Sequence, residues 1–346
     1  MQNYQNILIV RTDRIGDVVL TTPSIEALRL AYPKARLSIM VTPQTHELVE
    51  DNPCLDEVII YDQKNLHRGF FGFWRFVLNL RKRKFDLSII FHTKKRTNLI
   101  CFLAGIPNRI GYKNNKFGFL LTQGIADTRP QGLKHEAQYC LDVLKPLGIV
   151  SQDLSLDVSI HPNGQEWLDR FITEYKINPS DKLIAIHASA SDPSRCWPSK
   201  RFIELMNLIR THYDCKILLI GQDNAQSTAS EILSGYKYPV LNIVGKTRLF
   251  EFISLLTRVN ILISNDSGPV HLAAGLKTPV ISIFARNQPG INPERWRPLG
   301  IKSRFVSVPM NMDLDFKKAG NVSSKHLETI TAQEVFEAVD ALYKLC

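Results

Sequence analysis

Short apolar runs alternate with helical patterns along this chain, and they do so twice. In the first half the runs are Ile7–Val10, Leu37–Val41, Glu57–Tyr61 and Leu87–Phe91, with a helical pattern over Asp17–Ala31. In the second half they are Leu183–His187, Lys216–Ile220, Val240–Ile243, Asn260–Ser264 and Val280–Phe284. Helical patterns over Lys200–His212, Ala225–Leu233 and Leu249–Thr257 separate them, and Ala332–Leu345 closes the chain. An unbroken apolar run between polar or Gly/Pro residues suits a strand buried on both faces of a parallel sheet. Alternation of such strands with helices predicts doubly wound, Rossmann-like α/β domains. A chain of 346 residues exceeds the roughly 100–200 of one domain, so two are expected. The boundary is placed within 151–180 and drawn as 1–165 and 166–346, with the last helix, 332–345, free to pack back on the first domain. Folds of this kind bind ligands beyond the carboxyl ends of their strands, so the loops after strands are where chemistry is sought.

Charge is concentrated in one region. The chain carries a net +10, yet residues 63–120 hold thirteen Lys/Arg and one acid, Asp86, so the remainder sums to −2. A basic region in an otherwise near-neutral protein implies an anionic partner. The six cysteines are scattered without a C-x-x-C pair, which fits a reducing compartment and argues against a zinc site or a disulfide framework. The start, M-Q-N-Y-Q-N, lacks a basic and apolar leader. No apolar run approaches the roughly 20 residues of a membrane span. A cytoplasmic protein, or one bound to a membrane from that side, is expected.

Neither G-x-G-x-x-G nor G-x-x-x-x-G-K-[ST] occurs, which removes the common dinucleotide and P-loop signatures. Three loops of the second half have the right residues for a nucleotide. In S-N-D-S-G-P-V-H-L-A-A-G, 264–275, a strand gives way to a small-residue helix that Asp266 or Ser267 can cap. Amides of Ser267, Gly268 and Val270 would then face an anion. Gly268 allows close approach, and Pro269 suits a first helical turn. A capped helix without ligand fits the same pattern, and His271 fits a core position. In H-A-S-A-S-D-P-S-R-C-W-P, 187–198, hydroxyls and Arg195 suit a phosphate, or an ordinary polar loop. In G-Q-D, 221–223, Asp223 suits a ribose diol or a helix cap.

The first half opens on R-T-D-R-I-G-D, 11–17. Its carboxylates repel phosphate, so it is not a phosphate turn. Arg11, Asp13, Arg14 and Asp17 could form a structural ion-pair cluster. Alternatively Asp17, in the first helical turn after the first strand, faces the cleft between domains. Further along, Phe70, Phe73, Trp74, Val77 and Leu78 share helical spacing, and Arg81-Lys82-Arg83-Lys84 follows. A basic amphipathic helix rich in aromatics reads as a membrane-surface element over 70–84, or as a core helix with a solvated end. Lys94, Lys95 and Arg96 after a strand, and Arg109 in R-I-G-Y, add cations. No nucleic-acid-binding module is present, so no nucleic-acid partner is expected.

Together these stretches resemble the ADP-heptose:lipopolysaccharide heptosyltransferases of glycosyltransferase family 9, over nearly the whole chain. The carriers are R-T-D-R-I-G-D-V-V-L-T-T-P-S-I-E-A-L-R, R-I-G-Y, H-E-A-Q-Y-C-L-D-V-L-K-P-L-G, W-P-S-K-R-F and D-S-G-P-V-H-L-A-A-G-L-K-T-P-V-I-S-I-F. Their order and spacing carry more weight than any one of them. The resemblance implies a GT-B fold, two Rossmann-like domains facing across a cleft. It implies inverting transfer of heptose from ADP-heptose to a lipopolysaccharide core acceptor, with no cofactor and no essential metal. It makes Asp17 the general base, with Gly16 beside it giving the acceptor room. It places Ser189 and Arg195 on phosphate, Arg195 standing where relatives carry Lys. Asp223 falls to the ribose, and Asp266, Ser267, Gly268 and His271 to the sugar and diphosphate. Lys94, Lys95, Arg96 and Arg109 would meet an anionic, lipid-linked oligosaccharide acceptor. A monomer on the cytosolic face of the inner membrane is expected.

Two departures matter. The loop between His187 and Arg195 is one residue longer than in some relatives, and A-R-N-Q-P-G stands in place of G-P-T-D-P-G after the last strand. The second leaves the donor sugar open, so a GT-B enzyme using another nucleotide sugar is the alternative. A non-catalytic nucleotide- or membrane-binding protein is the other.

Overall fold

The structure is a computed structural model and describes residues 3–190, 192, 195–309 and 324–345. Ser191, Pro193 and Ser194 of the expected phosphate loop therefore lie outside the described residues. Two compact units are present, Met1–Ser159 and Ile160–Cys346.

In the first unit the elements run β1 (Asn6–Val10), α1 (Ile15–Val19), α2 (Thr22–Ala31), β2 (Arg36–Val41), β3 (Glu57–Ile60), α3 (Gly69–Lys82), β4 (Leu87–Ile90), α4 (Lys95–Leu103), β5 (Asn108–Lys113), β6 (Gln123–Ala126) and α5 (Glu136–Asp142). The six strands pair in the order β3-β2-β1-β4-β5-β6, all parallel. The order reverses between β1 and β4, and that is where a crevice opens at the carboxyl edge of such a sheet.

The helix expected over Asp17–Ala31 is two helices. Pro23 sits in the first turn of α2 and has no amide to continue a helix from α1. Hydroxyls take over at the joint. Thr21 Oγ1 donates to the Asp17 carbonyl at 2.8 Å, and Thr22 Oγ1 to that of Val19 at 2.8 Å. Asp17 therefore rides on a short helix of its own.

On α3 the expected stripe is rotated. Phe76, Val77 and Leu80 are buried against Tyr61, Ile90 and Ile100, and Phe73 and Trp74 pack beside them. Each buried side chain of this size contributes about 1.5–3 kcal/mol. Phe70 and Leu78, assigned to the same stripe, are exposed, and Phe71 is 87% exposed. The helix is apolar around most of its girth, so spacing alone does not fix which side meets the core.

The second unit runs α6 (Pro162–Glu174), β7 (Leu183–His187), α7 (Ser199–His212), β8 (Lys216–Leu219), α8 (Gln226–Gly235), β9 (Leu241–Asn242), α9 (Leu249–Arg258), β10 (Ile261–Asn265), α10 (Gly268–Gly275), β11 (Val280–Phe284), α11 (Pro293–Trp296), β12 (Ser303–Ser307) and α12 (Ala332–Tyr343). Its sheet is β12-β11-β10-β7-β8-β9, again all parallel. Read from the other edge this is the order of the first sheet, with the reversal between β7 and β10. A boundary at 165/166 would split α6, which packs on α9. The last helix, α12, lies on α7, β10, β11 and β12. Val335, Phe336, Val339 and Leu342 join the core of this second unit there, alongside Phe202, Leu205 and Met206. Among the described residues no helix is long and apolar enough to cross a membrane.

Candidate functional site

Each sheet brings chemistry-bearing residues to its own reversal point. In the second unit these are the ends of β7 and β10, where His187 and Ser264 are register partners. The loop after β7 is stapled to β10 by Asn265, which is fully buried. Its side chain accepts from the Trp197 amide at 2.9 Å and donates to the Ala188 carbonyl at 2.8 Å. Trp197 is itself buried and donates its indole N–H to the Ile330 carbonyl at 3.0 Å. Ser189 and Arg195 are held within this stapled loop.

Arg195, expected on phosphate, is buried and lies 3.7 Å from the Asp266 carboxylate. It also approaches the Asp266 carbonyl, at 3.4 Å. Arg286 Nη2 stands 3.9 Å from the same carboxylate. Two guanidinium groups thus flank one aspartate at the mouth of the crevice. Arg286 follows β11 directly, in the A-R-N-Q-P-G stretch, and its position just past a strand's carboxyl end was the signal for it.

Ser267 precedes α10 in cap position, but its side chain makes no cap hydrogen bond. The hydroxyl turns instead to His187 Nδ1 at 3.4 Å, Ser264 Oγ at 3.1 Å and the Asn265 carbonyl at 3.0 Å. Of the amides expected to face an anion, that of Val270 donates to the Ser267 carbonyl at 3.2 Å. Those of Ser267 and Gly268 open the helix, where amides have no acceptor within it. His271 is buried in the first turns of α10.

Asp223 starts a short 3-10 turn after β8. Its carboxylate lies over Gly245, where an added Cβ would come within 2.4 Å of Asp223 Oδ1 and where φ is +74°. Only glycine leaves that carboxylate in place. Gly245 was not singled out in the sequence.

In the first unit the reversal point holds an acid cluster on one guanidinium. Arg11 is 1% exposed. Its Nη2 donates to Asp17 Oδ1 at 2.9 Å and reaches Glu136 Oε1, on α5, at 3.4 Å. Its Nε lies 3.0 Å from the Asp17 carbonyl and 3.1 Å from Asp13 Oδ1. Burial opposes the charge on Arg11, but the surrounding carboxylates win and hold its pKa above the ordinary arginine value. Burial pushes Asp13 up to about 8; Asp17 and Glu136 push the same way against the pull of Arg11. Three carboxylates on one cation cannot all ionise without cost, and that cost falls most heavily on Asp13. The expected ion-pair cluster forms on Arg11, Asp13 and Asp17 and gains Glu136, while Arg14 is exposed and takes no part in it. Asp17 keeps 17% of its side chain open while Arg11 is enclosed. Gly16 is buried beneath it.

The basic residues divide. Lys94 and Lys95 are exposed at the start of α4, where the Lys94 amide donates to Thr97 Oγ1 at 3.1 Å. His92, between them and Arg11, is lowered to about 3 by burial, with Lys94 and Arg11 adding to the effect, and is neutral at physiological pH. Arg96 is turned into the fold: it donates to the Tyr61 hydroxyl, to the His67 carbonyl at 2.9 Å, and covers the Phe73 ring at 4.9 Å. Arg109 is the second residue of β5 and donates to the carbonyls of Leu120 at 2.7 Å and of Ile106, the latter ahead of the strand. It belongs to the amino end of its strand, whereas Asp17 and Lys94 follow the carboxyl ends of theirs. The structure brings Lys94 and Lys95 to the Asp17 edge and leaves Arg109 away from it.

Residues 73–326 match the model of glycosyltransferase family 9 (heptosyltransferase). That span holds the whole second-unit cluster, and Asp17 precedes it. Lipopolysaccharide heptosyltransferase 3 of Escherichia coli K12 is 26% identical over 341 residues, covering 94% of this chain and 95% of the relative. A glycosyl transferase family 9 structure from Veillonella parvula DSM 2008 superposes with a TM-score of 0.89 at 24% identity, covering 100% of this chain and 99% of that one. The structure of E. coli ADP-heptose lps heptosyltransferase II superposes with a TM-score of 0.78 at 19% identity, covering 98% of each. Both share the two parallel six-stranded sheets that define the GT-B architecture expected from the sequence.

Proposed function

Since the chain belongs to glycosyltransferase family 9 and is a glycosyltransferase, we propose that it moves a heptose from ADP-heptose to a lipopolysaccharide core acceptor, with inversion and with Asp17 as general base. The observation that carries this is the second-unit constellation of Ser189, Arg195, Asp266, Ser267 and Arg286 at one strand reversal. It offers hydroxyls, amides and two cations where a nucleoside diphosphate would leave. The relatives' names supply the heptose and the lipopolysaccharide.

Inversion takes one displacement at the anomeric carbon. The acceptor oxygen forms the new bond as its proton passes to Asp17, and the bond to the diphosphate breaks on the opposite face. Arg195, Arg286 and the first amides of α10 meet the charge that develops on the leaving group. Because these are fixed cations, transfer proceeds without a metal and survives EDTA. Asp223 takes the ribose hydroxyls. Lys94 and Lys95 meet acceptor anions at the Asp17 edge.

The first unit also docks on anionic lipid at the cytosolic face of the inner membrane. Phe70 and Phe71 are 70% and 87% exposed at the start of α3, Leu66 precedes them, and Arg81, Lys82, Arg83 and Lys84 follow. An exposed aromatic start and a basic end on one helix suit a bilayer with negative headgroups.

The test is transfer by the purified protein to a heptose-deficient core acceptor, followed by mass spectrometry. ADP-heptose should add one heptose unit, and UDP- or GDP-sugars none. Transfer from a UDP- or GDP-sugar but not from ADP-heptose would replace the donor. Binding of ADP without transfer to any core acceptor would make the protein a nucleotide-binding one.

A further inference from the structure

His187 sits at the centre of the second-unit cluster, and the transfer chemistry above makes no use of it. It ends β7, beside Ser264 of β10, and is 8% exposed. Both ring nitrogens face serine hydroxyls. Nδ1 lies 3.1 Å from Ser264 Oγ and 3.4 Å from Ser267 Oγ, and Nε2 lies 3.3 Å from Ser189 Oγ. The hydroxyls of Ser264 and Ser267 also reach the Asn265 carbonyl, at 2.8 Å and 3.0 Å. Burial lowers the imidazole to about 4, so it is neutral under physiological conditions.

A neutral imidazole carries one N–H and one bare nitrogen. Two arrangements satisfy this network. In the first, Ser264 and Ser267 both donate to the Asn265 carbonyl, and Nδ1–H donates to Ser264. Nε2 is then an acceptor and draws the Ser189 hydroxyl hydrogen inward, leaving only oxygen lone pairs toward a ligand. Such a serine repels phosphate. In the second, Nε2–H donates to Ser189 Oγ, and the Ser189 hydrogen is free to point at a phosphate oxygen. Nδ1 then accepts from Ser264 or Ser267, which needs only a hydroxyl rotation. Between the two, the ring loses a proton at Nδ1 and gains one at Nε2 by exchange with water while the crevice is open. Its charge stays zero throughout.

We propose that His187 is a positioning residue of the donor site: as the Nε2–H tautomer it turns Ser189 into a hydrogen-bond donor for the diphosphate. This rests on the nucleotide-sugar reading. It also accounts for Ser267, whose hydroxyl leaves its helix amides uncapped in order to join the imidazole. The arrangement gives the site phosphate-facing donors without adding a buried charge, which would oppose release of the spent nucleotide.

Glutamine and asparagine separate the two nitrogens. In His187→Gln the side-chain amide reaches the place of Nε2 and can donate to Ser189. In His187→Asn it reaches the place of Nδ1 and cannot. Calorimetric titration with ADP should show His187→Asn weaker by about tenfold, the worth of one hydrogen bond to a charged group, and His187→Gln close to wild type. Adenosine, which has no phosphate, should bind all three alike. In a Ser189→Ala background His187→Asn should cost nothing further. Nitrogen-15 NMR of the wild-type protein should find His187 as the Nε2–H tautomer with ADP bound, and this measurement decides the matter even if a variant fails to fold. Equal losses in the two variants, a full loss persisting without Ser189, or an Nδ1–H tautomer in the ADP complex would each overturn the proposal. Failure of the wild type to bind ADP, with adenosine bound or not, would overturn the donor reading and this inference with it.

Discussion

Arg11 grips Asp17 at both ends, Nη2 on the carboxylate at 2.9 Å and Nε on the backbone carbonyl at 3.0 Å. The side chain is thereby fixed relative to the end of β1, as a base must be. The same guanidinium is shared with Asp13 and Glu136, so its charge is divided among three acids. Asp17→Asn keeps the shape and removes the proposed base. Transfer should fall by roughly 10²–10⁴-fold, the usual general-base contribution, with ADP affinity unchanged by calorimetry. Wild-type turnover in this variant would exclude Asp17.

Asp13 makes folding stability depend on pH. Its folded pKa, about 8, stands above the ordinary 3.8. A group raised in this way stabilises fully below its unfolded pKa, and that contribution is lost as pH climbs through the folded pKa. Urea unfolding between pH 4 and pH 8 should therefore show wild-type stability declining relative to Asp13→Asn, by on the order of a few kcal/mol. Parallel curves would mean that Asp13 is ionised throughout.

Asn265 holds the loop after β7 to β10 through Trp197 and Ala188. In Asn265→Ala each of those buried groups loses its partner, at about 1–3 kcal/mol apiece. Thermal unfolding should drop, and KM for the donor should rise while KM for the acceptor stays. A stable variant with an unchanged donor KM would mean that the loop is held by other contacts.

Gly245→Ala strains a backbone at φ +74° and pushes into the Asp223 carboxylate. It should destabilise by about 1 kcal/mol or more and weaken ADP more than it weakens inorganic diphosphate, which lacks the ribose. Equal weakening of both would remove Asp223 from the ribose.

Phe70→Ser with Phe71→Ser should leave folding within about 0.5 kcal/mol, since both are exposed. Flotation with phosphatidylglycerol vesicles should lose about tenfold or more of the bound fraction, as the apolar area available for insertion falls. Undiminished flotation would assign membrane binding to the cations alone.

The sheet cores were legible because strands buried on both faces are apolar without interruption, as in Leu183–His187 and Val280–Phe284. Strands of mixed polarity were not. β5, N-R-I-G-Y-K, and β12, S-R-F-V-S, are part polar and show no such run. Side-chain direction was illegible too. Arg96 reads as one more exposed cation in K-K-R, yet its guanidinium covers Phe73 and bonds Tyr61. What the sequence did not show about the Asp13 cluster is Glu136, far along the chain, which meets the same guanidinium only on folding. Proximity created by folding, rather than spacing, makes both Asp13 and Arg286 part of a site.

Asp266 stands 3.7 Å from Arg195 and 3.9 Å from Arg286, close enough to offset part of their charge. The resting crevice thus already contains an anion of its own. An arriving diphosphate replaces an incumbent rather than filling an electrostatic void. Sodium chloride has little to compete for in such a place, so nucleotide affinity should vary less with ionic strength than the two arginines alone would suggest.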